Sequence, residues 1–410
     1  MVSLDVMNSL ESCRVLYIAS GGIEEPLIRS QVLNYISSLA ESISLMHLVT
    51  FERSEVTPFG QGLGAELRSV GMEWTPVFMK SRVPYIGRLN DLQRATQACE
   101  SIVRSSGITL VHARSFLPGR IGLKLKKRFG VKFLYDMRGF WALEKRAKGS
   151  IKTNFGLSIV QRFEDQLFRE ADYLVSLTEA CARHLQADRG FSTPSVVIPT
   201  CTDLTRFLAS RTRTDPIPMS IVSCGSIGRG YLGREIFRFH KLLQNKVPKC
   251  KLRVATRTSD DLVRRAICEA QANVENVVWG PVEPREIPGV VGRADVGISF
   301  HAPGKEKIAT CPTKIGEYLA KGIPVVSDPF CGDIADLIHD RKIGVIVEDF
   351  SDRGLGKAVS DLLALMLETD LALRCRETAE DMFSLEVGVA KYLSVYEQVL
   401  SNWTSNRNSS

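Results

Sequence analysis

A doubly wound α/β protein of two domains is the fold class this sequence predicts, and three observations predict it. The chain has 410 residues, more than one hydrophobic core usually organises. Short β-branched runs alternate with helical stretches from end to end, as in parallel strands joined by crossover helices. The alternation breaks once, at the polar, proline-bearing ASRTRTDPIPMS (209–220), and then restarts.

In the first half, CRVLYIAS (13–20), SLMHLVTF (44–51), ITLVHARS (108–115), KFLYDMR (132–138), DYLVSLT (172–178) and SVVIPTC (195–201) read as strands. Helices are expected at PLIRSQVLNYISSLAES (26–42), at the basic GRIGLKLKKRFG (119–130) and through SIVQRFEDQLFREA (158–171). In the second half MSIVSCGS, KLRVATR, NVVWG, ADVGISF, IPVVSD and GVIVE make six apparent strands. The expected organisation is a Rossmann-like domain at 1–208, a linker at 209–219 and a second Rossmann-like domain at 220–388. A C-terminal helix within 389–410 is expected to return to the first domain and end in a disordered tail. Ligands of such sheets bind beyond the carboxyl ends of the strands, here facing a cleft between the domains.

Composition excludes several classes. With 44% hydrophobic and 24% charged residues, the chain has the balance of an ordinary soluble globular protein. No window approaches the roughly 20 apolar residues of a membrane span. MVSLDVMNSLESCRVLYIAS lacks a charged leader before a long apolar run, so a cytoplasmic location is expected. The ten cysteines are scattered singly with no CxxC pair and read as reduced packing residues. Six dispersed histidines show no metal-ligand spacing, and no metal is expected.

The net charge of +7 is unevenly spread. Residues 80–148 hold 16 Lys or Arg against four acids, Asp91, Glu100, Asp136 and Glu144, a local balance of +12. That segment is a solvated basic face, a contact for an anionic membrane surface, or a site for a phosphorylated substrate. Nucleic acid is not expected as a partner, because none of the usual binding motifs occurs there.

The most specific stretch is ATCPTKIGEYLAKGIPVV (309–326). Pro312 suits a first helical position and Gly322 a left-handed stop, which predicts a helix over about 312–321. Lys314 then stands in the first turn, where a cation is unfavourable by up to about 1 kcal/mol. An anion between the ammonium and the helix amides would reverse that sign, and Thr313, Lys314 and Glu317 become candidate binders of a nucleoside diphosphate. The lysine would meet phosphate, and the carboxylate would accept hydrogen bonds from a ribose diol. The plain alternative is a surface Lys–Glu pair, contributing about 0.2–0.5 kcal/mol. Gly225-Ser226-Ile227-Gly228 is the first strand-to-helix turn of the second domain, able to bring amides near phosphate. Arg229 is the nearest cation, and Arg257, after the second strand of this domain, is another candidate for the diphosphate.

VIPTCTDLTRF (197–207), GSIGRGYLG (225–233), NVVWGPVEPREIPGVVGRADVGISF (276–300) and PTKIGEYLAKGIPVVSD (312–328) together resemble the retaining glycosyltransferases of family 4. SGGIEEPLIRSQV (20–32), VHARSFLPG (111–119) and YDMRGFWALE (135–144) are similar to the N-terminal domain of a bacterial surface-polysaccharide branch of that family. The resemblance implies the two-domain GT-B fold, an acceptor-binding first domain and a second domain binding a nucleotide-sugar donor. It implies a glycan or lipid-linked acceptor and no cofactor, and the basic 80–148 face would then dock the protein at the inner face of the plasma membrane. It places Gly21 and Gly22 against the donor diphosphate, although a plain strand-exit turn reads equally well and the Rossmann glycine spacing is missing. It sets His112, more often a structural residue when it stands alone on a strand, beside the transferred sugar. Asp136 and Arg138, with Trp141 and Glu144, form a second polar cluster, and His112, Asp136 and Arg138 are the catalytic candidates. An ion pair between Asp136 and Arg138 is the plain alternative.

Two departures stand out. Family members often carry glutamates eight positions apart; Glu317 matches the second, but Ala309 stands at the first. The usual lysine after the glycine loop is also missing from GSIGRGYLGRE. A nucleotide-sugar 2-epimerase and a non-catalytic nucleotide-sugar-binding protein are the alternatives these departures leave open.

Overall fold

The computed structural model describes residues 10–79, 86–208, 220–228 and 230–407. It divides into two compact units, residues 1–198 with 385–410, and residues 199–384.

In the first unit seven strands form one parallel sheet: β1 (Arg14–Ala19), β2 (Leu45–Glu52), β3 (Glu73–Phe78), β4 (Leu110–Arg114), β5 (Lys132–Asp136), β6 (Tyr173–Ser176) and β7 (Ser195–Val197). Their order is β3-β2-β1-β4-β5-β6-β7. Central β1 and β4 are buried almost throughout, which explains their near-continuous apolar sequence. β3 was not anticipated, because EWTPVF carries a proline that argues against a strand. Pro76 is tolerated because β3 pairs only with β2, at the sheet edge, where a missing N–H costs no ladder bond on the open side.

The second unit carries β8 (Ser220–Cys224), β9 (Lys251–Ala255), β10 (Val277–Gly280), β11 (Val296–Ser299), β12 (Val325–Ser327) and β13 (Gly344–Ile346) in the order β10-β9-β8-β11-β12-β13. Every named pair is parallel. All six strands expected here are present. The order reverses between β1 and β4 in one sheet and between β8 and β11 in the other, which are the switch points where α/β sheets take ligands.

The chain leaves the first unit after Ile198 and re-enters it at Leu385, as the helix Leu385–Arg407. Residues 199–208 belong to the second unit, not the first as expected. Thr200 Oγ1 donates to the Cys311 carbonyl at 2.7 Å, and the Thr202 amide donates to the Phe383 carbonyl at 2.7 Å. The polar C-terminal segment expected to be a disordered tail continues this helix as far as Arg407. The linker expected at 209–219 lies outside the described residues.

Candidate functional site

The helix around Lys314 runs Thr313–Ala320, with Pro312 as its N-cap and no side-chain cap bond. It ends at Gly322, whose φ of 72° is the left-handed stop expected from the sequence. Tyr318 fastens this helix to the sheet. Its hydroxyl accepts the Cys224 amide at 2.9 Å, and its ring fills the space a side chain would need at Gly297. The helix start is thereby set beside the end of β8.

There the chain turns through Gly225, Gly228 and Gly230, all at positive φ (127°, 83° and 96°) that only glycine adopts without strain. The Lys314 ammonium lies against this turn: a Cβ on Gly225 would stand 3.2 Å from Nζ. It also sits over the Tyr231 ring, 5.1 Å from the centroid. Lys314 is half-buried, and burial lowers its pKa against the opposing pull of Cys224, Cys331, Asp328 and Glu317. Among the described residues it has no carboxylate partner. Glu317, one turn on and half-buried, also has none, so the surface Lys–Glu pair does not form. Burial pushes the Glu317 carboxyl up to about 7, although Arg206 and Lys314 both favour its charge. Thr313 opens the helix and is half-buried; Gly225 and Ser226 are exposed.

Three neighbours escaped sequence reasoning. Lys307 stands at the far end of the turn, its Nζ 3.9 Å from where a Gly230 Cβ would lie. Tyr231 forms a bridge with His301 just beyond β11. His301 is held by Asp328, whose Oδ2 accepts its amide at 2.6 Å and lies 3.0 Å from Nδ1. Lys307 lies only two residues before Ala309, and Tyr231 closes the glycine-rich run, but neither spacing alone points to a site. His301, Asp328 and Cys331 offer ligand atoms within 4.8 Å of one another. Both Asp328 oxygens are already engaged, since Phe330 donates its amide to Oδ1 at 2.9 Å. Burial, with Lys314 and Lys307 beside it, disfavours positive charge on His301 against the pull of Asp328. The trio therefore fits an orienting network better than a cation site.

The other donor candidates fare differently. Arg229 lies outside the described residues. Arg257 is exposed and paired with Glu283 at 3.7 Å. At Gly21 and Gly22 the loop amides turn toward carboxylates of their own unit. The Gly22 amide donates to Glu25 Oε1 at 3.3 Å and the Ile23 amide to Glu52 Oε1 at 2.9 Å, so carboxylates already fill the place expected for phosphate. Glu52 also occupies the space beside Gly22 that a side chain would need, a packing reason for that glycine.

The first unit does bring His112, Asp136 and Arg138 together, but bonded to one another and to two tyrosines. His112 and Asp136 are fully buried. His112 Nε2 lies 3.4 Å from Asp136 Oδ2, and Nδ1 lies 2.7 Å from the Tyr396 hydroxyl. Burial lowers the histidine pKa, which favours a neutral ring. A carboxylate can only accept, so Nε2 donates to Asp136 and Nδ1 accepts from Tyr396. Arg138 donates to Asp136 Oδ2 at 2.5 Å and to the Tyr392 hydroxyl at 2.6 Å; Tyr392 in turn donates to Asp136 at 3.1 Å. Burial works to raise the Asp136 pKa, but Arg138 and His112 outweigh it and hold the carboxyl at about 2. Both ring nitrogens of His112 are engaged, so the expected sugar-facing role gives way to a structural one. Trp141, a candidate sugar platform, stacks on Phe116 at 4.5 Å with the Lys145 ammonium 5.1 Å from its ring centre. Tyr392 and Tyr396, four apart on one helix face, were the readable but unread signal for this network.

The basic segment is also less bare than its charge sum. Lys124 and Arg128 pair with Glu100, Lys127 with Glu170, and Lys126 and Lys132 with Asp172.

Residues 28–201 match the family model described as a glycosyl transferase 4-like domain, a span that takes in β2 to β7. No curated protein matches the sequence. Among solved structures, sucrose-phosphate synthase from Thermosynechococcus elongatus superposes with a TM-score of 0.69 at 14% identity, over 95% of this chain and 100% of its own. A glycosyltransferase from Rickettsia africae gives 0.68 at 16%, covering 95% and 99%. Anabaena HepE, in complex with UDP and glucose, gives 0.67 at 12%, covering 93% and 99%. At these identities the likeness is one of fold: two parallel sheets in the GT-B architecture.

Proposed function

We propose that this protein is a retaining glycosyltransferase that moves a sugar from a nucleoside diphosphate sugar to a polysaccharide, lipopolysaccharide or lipid-linked acceptor. The second unit holds the donor and the first takes the acceptor. One observation carries the reading: a half-buried ammonium, without a carboxylate partner among the described residues, held against a glycine turn at the β8/β11 switch point. The glycosyl transferase 4-like match over 28–201 and the likeness to HepE, a complex with UDP and glucose, support it.

The chemistry follows from charge. As the bond between the sugar C1 and the β-phosphate oxygen breaks, negative charge grows on the diphosphate. Lys314, the first-turn amides of its helix and Lys307 lie where they stabilise that charge. The acceptor oxygen bonds to C1 on the departing face, and its proton passes to the leaving phosphate. Glu317 accepts hydrogen bonds from the ribose diol. His112, Asp136 and Arg138 position the scaffold of the first unit and do not touch the reacting atoms.

The test is a thermal-stability screen against nucleoside diphosphates and their sugars. A ligand at 100 times its dissociation constant adds about 2.7 kcal/mol. Lys314→Ala and Glu317→Ala abolish that response; if both keep it, the donor site lies elsewhere.

A lipid-linked acceptor brings the protein to the inner face of the plasma membrane. Phe155, Ile159 and Phe163 recur every four residues on the helix Asn154–Glu170 and are 77%, 39% and 42% exposed, with Arg162 and Arg169 exposed beside them. An apolar stripe edged by cations suits an anionic bilayer. Co-sedimentation with phosphatidylglycerol vesicles should fall when Phe155 and Phe163 become serine. Binding indifferent to anionic lipid would exclude this location.

A further inference from the structure

Arg114 ends β4 at the switch point of the first sheet, in register with Ala19 of β1 and Asp136 of β5. It is only 6% exposed, and its Nε is buried without a hydrogen-bond partner. Its guanidinium makes no ion pair among the described residues. The carboxylate in register with it, Asp136, spends Oδ2 on Arg138, Tyr392 and His112, while Oδ1 has no partner. The network thus gathers two guanidinium groups, Arg114 buried and Arg138 half-buried, and one carboxylate around a neutral histidine, a surplus of one positive charge. Buried charges are normally compensated, and buried donors normally bonded. Tyr17, on the same face of the sheet two residues before Ala19, has no hydrogen bond to its hydroxyl among the described residues, and the Arg114 charge acts on it. Around Glu52 and Glu25 the neighbouring Gly21 loop is closed to anions, so the positive surplus is local to Arg114.

We infer that Arg114, with the Tyr17 hydroxyl, forms an oxyanion-binding subsite in the first unit, built for a phosphate or carboxylate group carried by the acceptor. A planar guanidinium suits either anion through paired N–H bonds. Naming the acceptor as the source rests on the glycosyltransferase reading; the anion site itself does not.

The test uses the full chain carrying Lys314→Ala, so that phosphate at the second unit does not contribute. Inorganic phosphate, methyl phosphate and sodium glucuronate are titrated, with binding followed by the thermal midpoint. Saturable binding is expected, and Arg114→Gln should weaken it at least about tenfold, the loss of a charge-assisted contact. Arg114→Lys keeps part of it, and Tyr17→Phe weakens it by a smaller factor while leaving the ring on His112. Preference for methyl phosphate identifies a phosphorylated acceptor, and preference for glucuronate an acidic sugar. Should Arg114→Gln fail to fold, the Lys and Phe variants decide. Equal affinity in the substituted chains and their parent, or no saturable binding of any of the three anions, overturns the inference. Loss of the nucleotide response in the wild-type chain would instead count against the donor site and leave this result standing.

Discussion

Both sheets place charged side chains at a switch point, yet the two clusters are built to opposite rules. In the first unit Asp136 answers His112, Arg138 and Tyr392 at once, and a second tyrosine seals the histidine. In the second, Lys314 and Glu317 stand one turn apart and bond to nothing among the described residues. Saturated charge fixes a scaffold, whereas charge held half-buried without a partner is costly to the free protein and is recovered when a ligand arrives. The same residue types thus serve structure around Asp136 and recognition around Lys314, and the difference lies in the partners.

The comparison can be broken from either side. Asp136→Ala strands the half-buried Arg138 and leaves buried His112 without its acceptor, and should cost about 3–5 kcal/mol of stability, read by denaturant unfolding. A loss under about 1 kcal/mol would mean the network is not structural. Lys314→Ala should leave unfolding nearly unchanged while removing the roughly 2.7 kcal/mol that a saturating nucleotide sugar supplies. A protein that unfolds without this lysine would put it on the scaffold side. Tyr396→Phe leaves His112 Nδ1 buried without a donor, an expected loss of about 1–3 kcal/mol with no change in nucleotide response.

Glu317→Gln separates the two rules by pH. With its folded pKa raised to about 7, Glu317 keeps a proton that the unfolded chain has lost above its ordinary value near 4.5. Its contribution therefore lowers stability as pH rises from about 4.5 to 7, and the penalty is complete above that. The amide should flatten this slope. Glu164, also raised to about 7 by burial, acts in the same sense and cancels in the comparison. Binding of a nucleotide sugar, whose diphosphate does not titrate here, should strengthen over the same window and lose that dependence in the variant. The smallest effect is expected for Arg257→Ala, within about 0.5 kcal/mol on stability and none on nucleotide response; a large loss would add that arginine to the donor site.

What could be read in advance was what repeats. All six strands of the second sheet, and six of the seven in the first, stood out by alternation; β3 did not, since a proline excused by its edge position looks like a breaker until its neighbours are known. The Lys314 helix was legible because an unfavourable charge beside exposed amides demands a reason. Partners distant in sequence were not legible. Nothing local to His112 announces Tyr396, 284 residues later, and nothing local to Gly22 announces that Glu52 has already taken the neighbouring amide. Residue type gave the chemistry available, while pairing decided what was left for a ligand.

The late return of the chain to its first sheet has a temporal meaning. Residues 199–384 form an insertion that can complete its own fold while synthesis is still running. The opening 198 residues must wait for Tyr392 and Tyr396 to leave the ribosome, holding His112 and Asp136 unsealed until then. Clipping the final helix would therefore injure the segment made first, while the insertion keeps its shape.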